Sequence, residues 1–299
     1  MRNTAFLPGR GARAAAGLLG FVLTLLLFFA AVLSPVSGVL LSGDAPERAA
    51  AAPETLAAEE SRIRERLTPL AARYQVDPER LIASIDRERL TAFNRQAAAR
   101  LVSFLTTGRL GSAPELVLPE MNRVLLDESV FAEASDPDEI EVDMLRAVEE
   151  ITAAVSGVAL QLREPVLRIA ERALREKVNP AALIGAVRKL PTLLLAAALA
   201  ISGLLALTVS RRLSLSLRYI GAAALAAGLL VPLTILLLRG LGLESLLAGA
   251  SPMLCAEYRL LAGEIRNRML LISAGLMLPG LTAFLLSGRM NRRGGEGAR

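Results

Sequence analysis

The acidic residues between Asp136 and Asp143 form the densest group of potential ligands in the chain, five carboxylates within "SDPDEIEVD". Such a run suggests either a calcium site or the first turn of a helix. A calcium loop of the EF-hand type needs acids at alternating positions, a glycine at the sixth position and a glutamate at the twelfth. Counted from Asp136, those two positions hold Glu141 and Ala147, so the spacing argues against such a loop. The sequence leaves open a weaker cation site formed by acids of neighbouring helices.

An Asp or Asn directly before a Pro recurs three times, each time ahead of apolar residues at helical spacing. The Asp or Asn side chain accepts hydrogen bonds from the first free backbone N–H groups, and a Pro at the next position has a helical φ already. We therefore predict helix starts at Asp77-Pro78, Asp136-Pro137 and Asn179-Pro180. The first and third share the pattern Val-Asp/Asn-Pro-x-x-Leu-Ile, which indicates either a duplicated helix–turn–helix unit or a chance recurrence of capping.

The stretch around the first start, "LAARYQVDPERLIASIDRE", resembles the opening of lytic transglycosylase domains. The resemblance implies that Glu88, at the end of an apolar helix, would be the catalytic acid. The residue that follows is Arg89 where that family has a serine, and the glycine-rich segment that the family needs downstream is missing. We therefore predict that Glu88 is a solvated helix charge and that the chain is not an enzyme.

The composition excludes several kinds of catalytic and metal site. The chain has no His and a single Cys, Cys255, which rules out an internal disulfide, a Cys/His zinc site and a Ser-His-Asp triad. The adjacent pairs Glu59-Glu60 and Glu149-Glu150 are expected to face solvent, because neighbours on a helix point apart. Phosphate-binding glycine loops and nucleic-acid modules are absent from the sequence. We assign no catalytic, cofactor-binding or metal residues, and we predict no cofactor and no nucleic-acid partner.

Long uncharged segments indicate a membrane protein. The mean hydropathy is +0.47 and 53% of the residues are hydrophobic, although 21% are charged. A bilayer-spanning helix needs about 20 apolar residues. Four segments without Asp, Glu, Lys or Arg meet that length, at 14–41, 190–209, 219–238 and 269–286. The predicted fold class is all-α, with four transmembrane helices and a helical extracytoplasmic domain at 42–189 between spans 1 and 2. The uncharged spans argue against a pump or coupled transporter.

The placement of arginines predicts the orientation. The tail 1–13, the link 210–218 and the tail 287–299 carry three, three and four arginines against one acid, Glu296. The positive-inside rule places all three in the cytoplasm, with the chain in the plasma membrane and the loop 239–268 outside. The first span has an alternative interpretation as a cleaved signal peptide, because Val36-Ser37-Gly38 resembles a cleavage site. The near-exclusive use of arginine over lysine is typical of a GC-rich bacterial genome.

Within the predicted outer domain, acids outnumber bases 25 to 20 over residues 43–189. After a linker at 43–53, helices are predicted near 54–74, 78–105, 114–131 and 137–177, with a kink or break at Pro165. The last of these carries apolar residues four and three apart, a heptad-like seam that must pack against another helix. The seam consists of Met144, Val148, Ile151, Val155, Val158 and Leu162.

These patterns predict a non-enzymatic envelope protein whose outer helices bind a protein partner or self-associate while the spans anchor them in the lipid bilayer. The alternative is a membrane subunit of a larger transport machine. The order of one span, an outer domain and three further spans is similar to that of permeases of the cell-division and macrolide-export kind. That similarity implies a cytoplasmic ATPase partner, although the link at 210–218 is short for an ATPase to grip.

Overall fold

A computed structural model describes residues 10–74, 76–109, 111–126, 137–160, 168, 172, 180–209, 213–240 and 252–296. Over these ranges the regular structure is helical and no strand occurs, which confirms the predicted all-α class. The chain divides into two compact units. The first, called the span unit here, comprises Met1–Gly38, Gly185–Ser245 and Gly263–Arg299. The second, called the helical domain, comprises Val39–Ile184 and Leu246–Ala262.

Ten helices are described. In chain order they are α1 (Arg10–Leu40), α2 (Asp44–Ala50), α3 (Pro53–Arg73), α4 (Pro78–Ala83), α5 (Arg87–Thr107), α6 (Pro119–Leu126), α7 (Pro137–Leu160), α8 (Pro180–Thr208), α9 (Leu213–Gly240) and α10 (Pro252–Glu296).

Four of these helices are long and apolar enough to cross a membrane. The candidate spans are Arg13–Leu40 in α1, Ile184–Thr208 in α8, Ser214–Gly240 in α9 and Cys255–Met290 in α10. Each contains or overlaps one predicted span, so the four long apolar helices are confirmed, and their length and composition suggest a membrane location. Helix α10 begins at Pro252, so residues 252–268 of the predicted outer loop are helical and continuous with the fourth span.

Two apolar clusters hold the span unit together, one towards each end. The first joins Ala16 and Leu23 of α1 to Leu205 of α8 and Ala223 of α9. The second joins Ala31 of α1 to α9 and α10, through the residues Val231 and Met269. These contacts place the start of α1 beside the end of α8 and the start of α9, so consecutive spans alternate in direction.

Helices α9 and α10 approach each other more closely than bulky side chains would permit. A Cβ atom added at Gly221 would lie 2.8 Å from the carbonyl oxygen of Gly280 and 2.8 Å from the backbone nitrogen of Phe284. One face of α9 therefore lies directly against the α10 backbone. Two turns along α9, the Ser273 hydroxyl donates a 2.7 Å hydrogen bond to the carbonyl of Gly228. Small residues and interhelical hydrogen bonds of this kind drive helix association where lipid removes the hydrophobic contribution.

The helical domain has an apolar core of its own. Ile63 and Leu67 of α3, Leu90 of α5 and Leu125 of α6 are almost completely buried in one cluster with the seam of α7. Helix α3 contacts α2, α4 and α7, and α5 contacts α2 and α7. In the seam, Ile151 and Val155 are 0% exposed and Val158 is 4% exposed. These seam residues are therefore part of the domain's core, while the side chain of Met144 and the residues Leu162 and Pro165 lie outside the described part of the chain.

The predicted helix starts hold where they are described. Asp77 caps α4 by accepting a 3.0 Å hydrogen bond from the N–H of Glu79. Helices α7 and α8 begin at Pro137 and Pro180, and the two residues before those prolines lie outside the described ranges. The two copies of the Val-Asp/Asn-Pro pattern precede helices of very different length, because α4 has 6 residues and α8 has 29. This difference favours a chance recurrence of capping over a duplicated unit.

Two predicted helices in the domain are wrong in extent. The helix expected over 78–105 is interrupted at Ser84–Asp86, because Asp86 is a second cap that accepts hydrogen bonds from the N–H groups of Glu88 and Arg89. Helix α5 ends with Gly108 as its C-cap, whose φ of 72° lies in the left-handed region that glycine adopts easily. The Gly108 N–H donates a hydrogen bond to the carbonyl of Phe104. The helix expected from residue 114 begins only at Pro119.

Candidate functional site

Residues 137–143 of the acidic run form the beginning of a helix. Helix α7 starts at Pro137, in agreement with the helix-start interpretation, although the side chains of 137–144 lie outside the described residues. Among the side chains that are described, no three His, Cys, Asp or Glu residues come close enough to hold a metal ion together.

Glu88 occupies the first turn of α5 and is exposed. Its backbone N–H donates a 2.9 Å hydrogen bond to the Asp86 carboxylate, and the side chain lies near the positive end of the helix dipole. It borders a shallow surface groove together with Leu56, Thr91 and Arg95. This setting is that of a first-turn helix charge, as the sequence predicted.

The prediction that both glutamate pairs face solvent is wrong for Glu59. Glu59 is 0% exposed, and its carboxylate accepts a 2.5 Å hydrogen bond from the side-chain amide of Asn94, which is also 0% exposed. Glu60, next in sequence, points away and forms a 3.0 Å ion pair with Arg87. The signal for this burial was present in the sequence, because Glu59 lies on the same stripe of α3 as the buried Leu56 and Ile63.

Glu150 is also not a simple solvent-facing residue. Its carboxylate accepts a 2.8 Å hydrogen bond from the Tyr74 hydroxyl and lies 3.2 Å from the guanidinium of Arg73. The guanidinium carbon of Arg73 lies over the Tyr74 ring, 5.6 Å from the ring centre. Burial of the phenol, and then the hydrogen bond and negative charge of Glu150, raise the pKa of Tyr74 above its ordinary 10.0. This cluster joins the end of α3 to α7.

A second surface groove of the helical domain lies between α3, α4 and α5 and also combines apolar and charged groups; it is called the α3–α5 groove here. It encloses about 430 Å³. Ile63, Ile82, Ile85 and Leu90 provide its apolar side, and Ala57, Glu60, Ser61, Arg64 and Arg87 complete the lining. Its existence follows from the break at Ser84–Asp86, because a continuous helix over 78–105 would not bring Ile82 and Ile85 to α3 in this way.

Both arginines of the α3–α5 groove form ion pairs with glutamates. Arg87 pairs with Glu60 across the groove, and Arg64 pairs with Glu79 of α4. All four side chains keep between 44% and 67% of their surface exposed, so the pairs contribute little stability and remain accessible to a bound molecule. The groove therefore offers guanidinium donors beside an apolar surface, a combination that protein interfaces favour.

The sequence did not single out the residues of this groove. The pairing of Glu60 with Arg87 spans 27 positions and depends on how α5 lies against α3, which no local pattern encodes. The one visible signal was Asp86 followed by Glu88, which is the composition of a helix start.

Comparisons with known proteins give no relative from which a function could be transferred. No protein-family model, no curated protein and no solved structure matches the chain.

Proposed function

We propose that the chain is a non-enzymatic protein of the plasma membrane that holds its helical domain outside the cytoplasm and binds an envelope protein through that domain. Both termini lie in the cytoplasm in this proposal. The orientation is supported by the arginine-rich segments, which the positive-inside rule assigns to the cytoplasm, and by the alternating direction of the spans.

The observation that carries the proposal is the separate core of the helical domain. Because Ile151, Val155 and Val158 are buried inside that core, these seam residues do not need a partner to cover them. It is a folded body with a defined outer surface. A partner would therefore contact surface residues, and the α3–α5 groove, with four large apolar residues beside two guanidinium groups, is the surface we propose for that contact.

The chemistry of the groove supports a partner segment that is both acidic and apolar. Arg64 and Arg87 favour carboxylates, and the apolar side formed by Ile82 and Ile85 favours an aliphatic or aromatic side chain. The expected ligand is a protein segment that carries an acidic residue next to an apolar one. Self-association through this groove is one form of the proposal, because acids outnumber bases 25 to 20 over residues 43–189 of a second copy.

Site-specific photo-crosslinking in living cells tests the proposal. A photoreactive amino acid at Ser61, which is exposed and lines the groove, is expected to capture a protein. The same amino acid at Gln96, exposed on α5 outside the groove, is the matched control. Capture at Ser61 alone supports the proposal, and mass spectrometry of the adduct identifies the partner. No adduct, or the same adducts at both positions, would contradict it.

A charge exchange separates recognition from folding. The Arg87→Glu variant is expected to lose the adduct, and the double variant Glu60→Arg with Arg87→Glu restores the ion pair in reverse. If Arg87 contacts the partner, the double variant still lacks the adduct although its ion pair is intact. Recovery of the adduct in the double variant would show that Arg87 acts only through Glu60.

The order of the elements favours a second candidate, a membrane subunit of a transport machine. One span in α1, the helical domain and three further spans follow each other, as in the permeases with this topology. Affinity purification in mild detergent distinguishes the two candidates. A cytoplasmic ATPase recovered in fixed ratio would replace the scaffold proposal by the transport one, whereas envelope proteins or the chain alone would support the scaffold.

A further inference from the structure

We propose that the end of the span unit that carries Arg13, Arg218 and Arg289 is a binding surface for an anionic phospholipid, with Arg218 holding the headgroup and the exposed face of α10 contacting an acyl chain. The proposal rests on the membrane location of the four apolar helices and is independent of any partner of the helical domain.

Residues from three separate parts of the chain meet at this end. Ala16 of α1 packs in one cluster with Val209, which directly follows α8, and with Leu215 of α9. Helix α10 joins them because the guanidinium of Arg218 lies over the Phe284 ring. Arg13 precedes Ala16 by three residues and Arg289 follows Phe284 by five, so both belong to the same end, and both are exposed.

The environment of Arg218 fixes its charge near the apolar surface. Its guanidinium carbon lies 5.7 Å from the centre of the Phe284 ring, a cation–π contact that leaves its N–H groups free to donate at their edges. Arg218 is the sixth residue of α9, about 7.5 Å along the helix from Leu213. It therefore lies inside the candidate span Ser214–Gly240, close to the first residue of that span. In this proposal, that position corresponds to the boundary between the lipid phosphates and the hydrocarbon.

No carboxylate neutralises this charge within the part of the span unit whose side chains are described. Arg13, Arg218 and Arg289 have no ion pair there. At the opposite end of the unit, Arg268 is paired with Glu264 of the same helix at 2.7 Å. An anionic group arriving at Arg218 thus has no internal carboxylate to displace.

The surface next to Arg218 suits an acyl chain. Leu281 and Leu285 of α10 are 45% and 57% exposed, and they lie three residues before and one residue after Phe284 on the same side of the helix. Directly behind them, α10 packs closely against α9 at Gly221. A molecule with a negative headgroup and an apolar tail matches both features, and phosphatidylglycerol is a phospholipid of this chemistry.

Native mass spectrometry of the full chain in detergent tests the proposal. Phosphatidylglycerol and phosphatidylcholine are added separately, and the bound lipid is counted. The wild-type chain is expected to retain phosphatidylglycerol preferentially, and Arg218→Gln is expected to reduce that retention roughly fivefold, since one such contact is worth about 1 kcal/mol. Arg239→Gln, an exposed arginine at the other end of the same helix, is the matched control and is expected to behave as wild type.

Two further results complete the test. Phe284→Leu keeps an apolar side chain but removes the ring that positions Arg218, so it is expected to lower the retention of phosphatidylglycerol even if Arg218→Gln does not fold. Equal retention of the two lipids by the wild type overturns the proposal. It is also overturned if Arg239→Gln loses as much as Arg218→Gln, or if Phe284→Leu and Arg218→Gln both retain phosphatidylglycerol as the wild type does.

Discussion

At the scale of single residues, the helical domain depends on polar contacts between helices that the sequence pattern does not show. Tyr74 and Glu150 are 76 positions apart, and Glu59 and Asn94 are 35 apart. Each pair joins α3 to another helix of the domain. The local pattern predicted that both glutamates face solvent, whereas each accepts a specific hydrogen bond from another helix or its cap.

The Tyr74 contact predicts a dependence of stability on alkaline pH. Because the pKa of Tyr74 is raised in the folded state, its stabilising contribution is complete below pH 10 and is lost as the pH rises through the folded-state pKa. In an ultraviolet absorbance titration, Glu150→Gln is expected to move the pKa of Tyr74 back towards 10, because it removes the negative charge but keeps an acceptor. The Tyr74→Phe variant lacks the absorbance change of Tyr74 and so shows which part of the titration belongs to this residue. A Tyr74 titration that Glu150→Gln leaves unchanged would contradict this account.

The buried Glu59–Asn94 contact predicts a local loss of stability when its donor is removed. Asn94→Ala takes the amide away from a carboxylate that is sealed from water, which costs about 2 kcal/mol. Hydrogen exchange of α3 and α5 amides is expected to be roughly thirtyfold faster. Gln96→Ala, on the exposed side of α5, is the control and is expected to leave the exchange unchanged. Equal exchange rates in the two variants would show that the contact carries no stability.

At the scale of helices, the seam of α7 determines whether the domain is self-contained. Ile151 is 0% exposed, so Ile151→Ala is expected to destabilise the domain by about 2–5 kcal/mol, measured as faster hydrogen exchange throughout α3, α5 and α7. Leu145→Ala, at a position that is 62% exposed on the same helix, is expected to have little effect. A seam that served a partner would give the opposite result, with unchanged exchange in Ile151→Ala and loss of a complex.

The contact between α9 and α10 predicts that glycines differ sharply in their tolerance of a methyl group. Gly221→Ala is expected to destabilise the span unit by about 1–3 kcal/mol, because the added carbon would meet backbone atoms 2.8 Å away. Gly275→Ala on α10 has nothing within 4 Å and is expected to be neutral or slightly stabilising, since alanine favours helix. Thermal unfolding in detergent measures both. Equal effects of the two substitutions would contradict the close approach of the helices.

The helices differ in how well the sequence predicted them, for physical reasons. The four apolar helices were found because a bilayer requires a length and an absence of charge that are visible locally. The start of α4 was found because Asp77-Pro78 is a local capping signal. The break before α5 was missed because Ser84-Ile85-Asp86 interrupts an otherwise helical pattern by only three residues. The α3–α5 groove depends on that break, so it could not be predicted either.

At the scale of the whole molecule, the sequence indicated two kinds of region and the structure separates them into the span unit and the helical domain. The heptad-like seam was the pattern whose partner the sequence could not identify. Its period requires a packing partner but does not say whether that partner is another helix of the same chain. Ile151 is buried in one cluster with residues of α3, α5 and α6, which gives the answer for the described residues.

The central claim is that the helical domain lies outside the cytoplasm, and labelling of single cysteines on intact cells tests it most directly. In a Cys255→Ser background, Ser112→Cys places a thiol on an exposed segment of the domain, and Met290→Cys places one near the end of α10. A membrane-impermeant maleimide is expected to label Ser112→Cys on intact cells, and Met290→Cys only after the cells are permeabilised. Labelling of Met290→Cys but not of Ser112→Cys on intact cells would contradict the account, because it would place the domain in the cytoplasm.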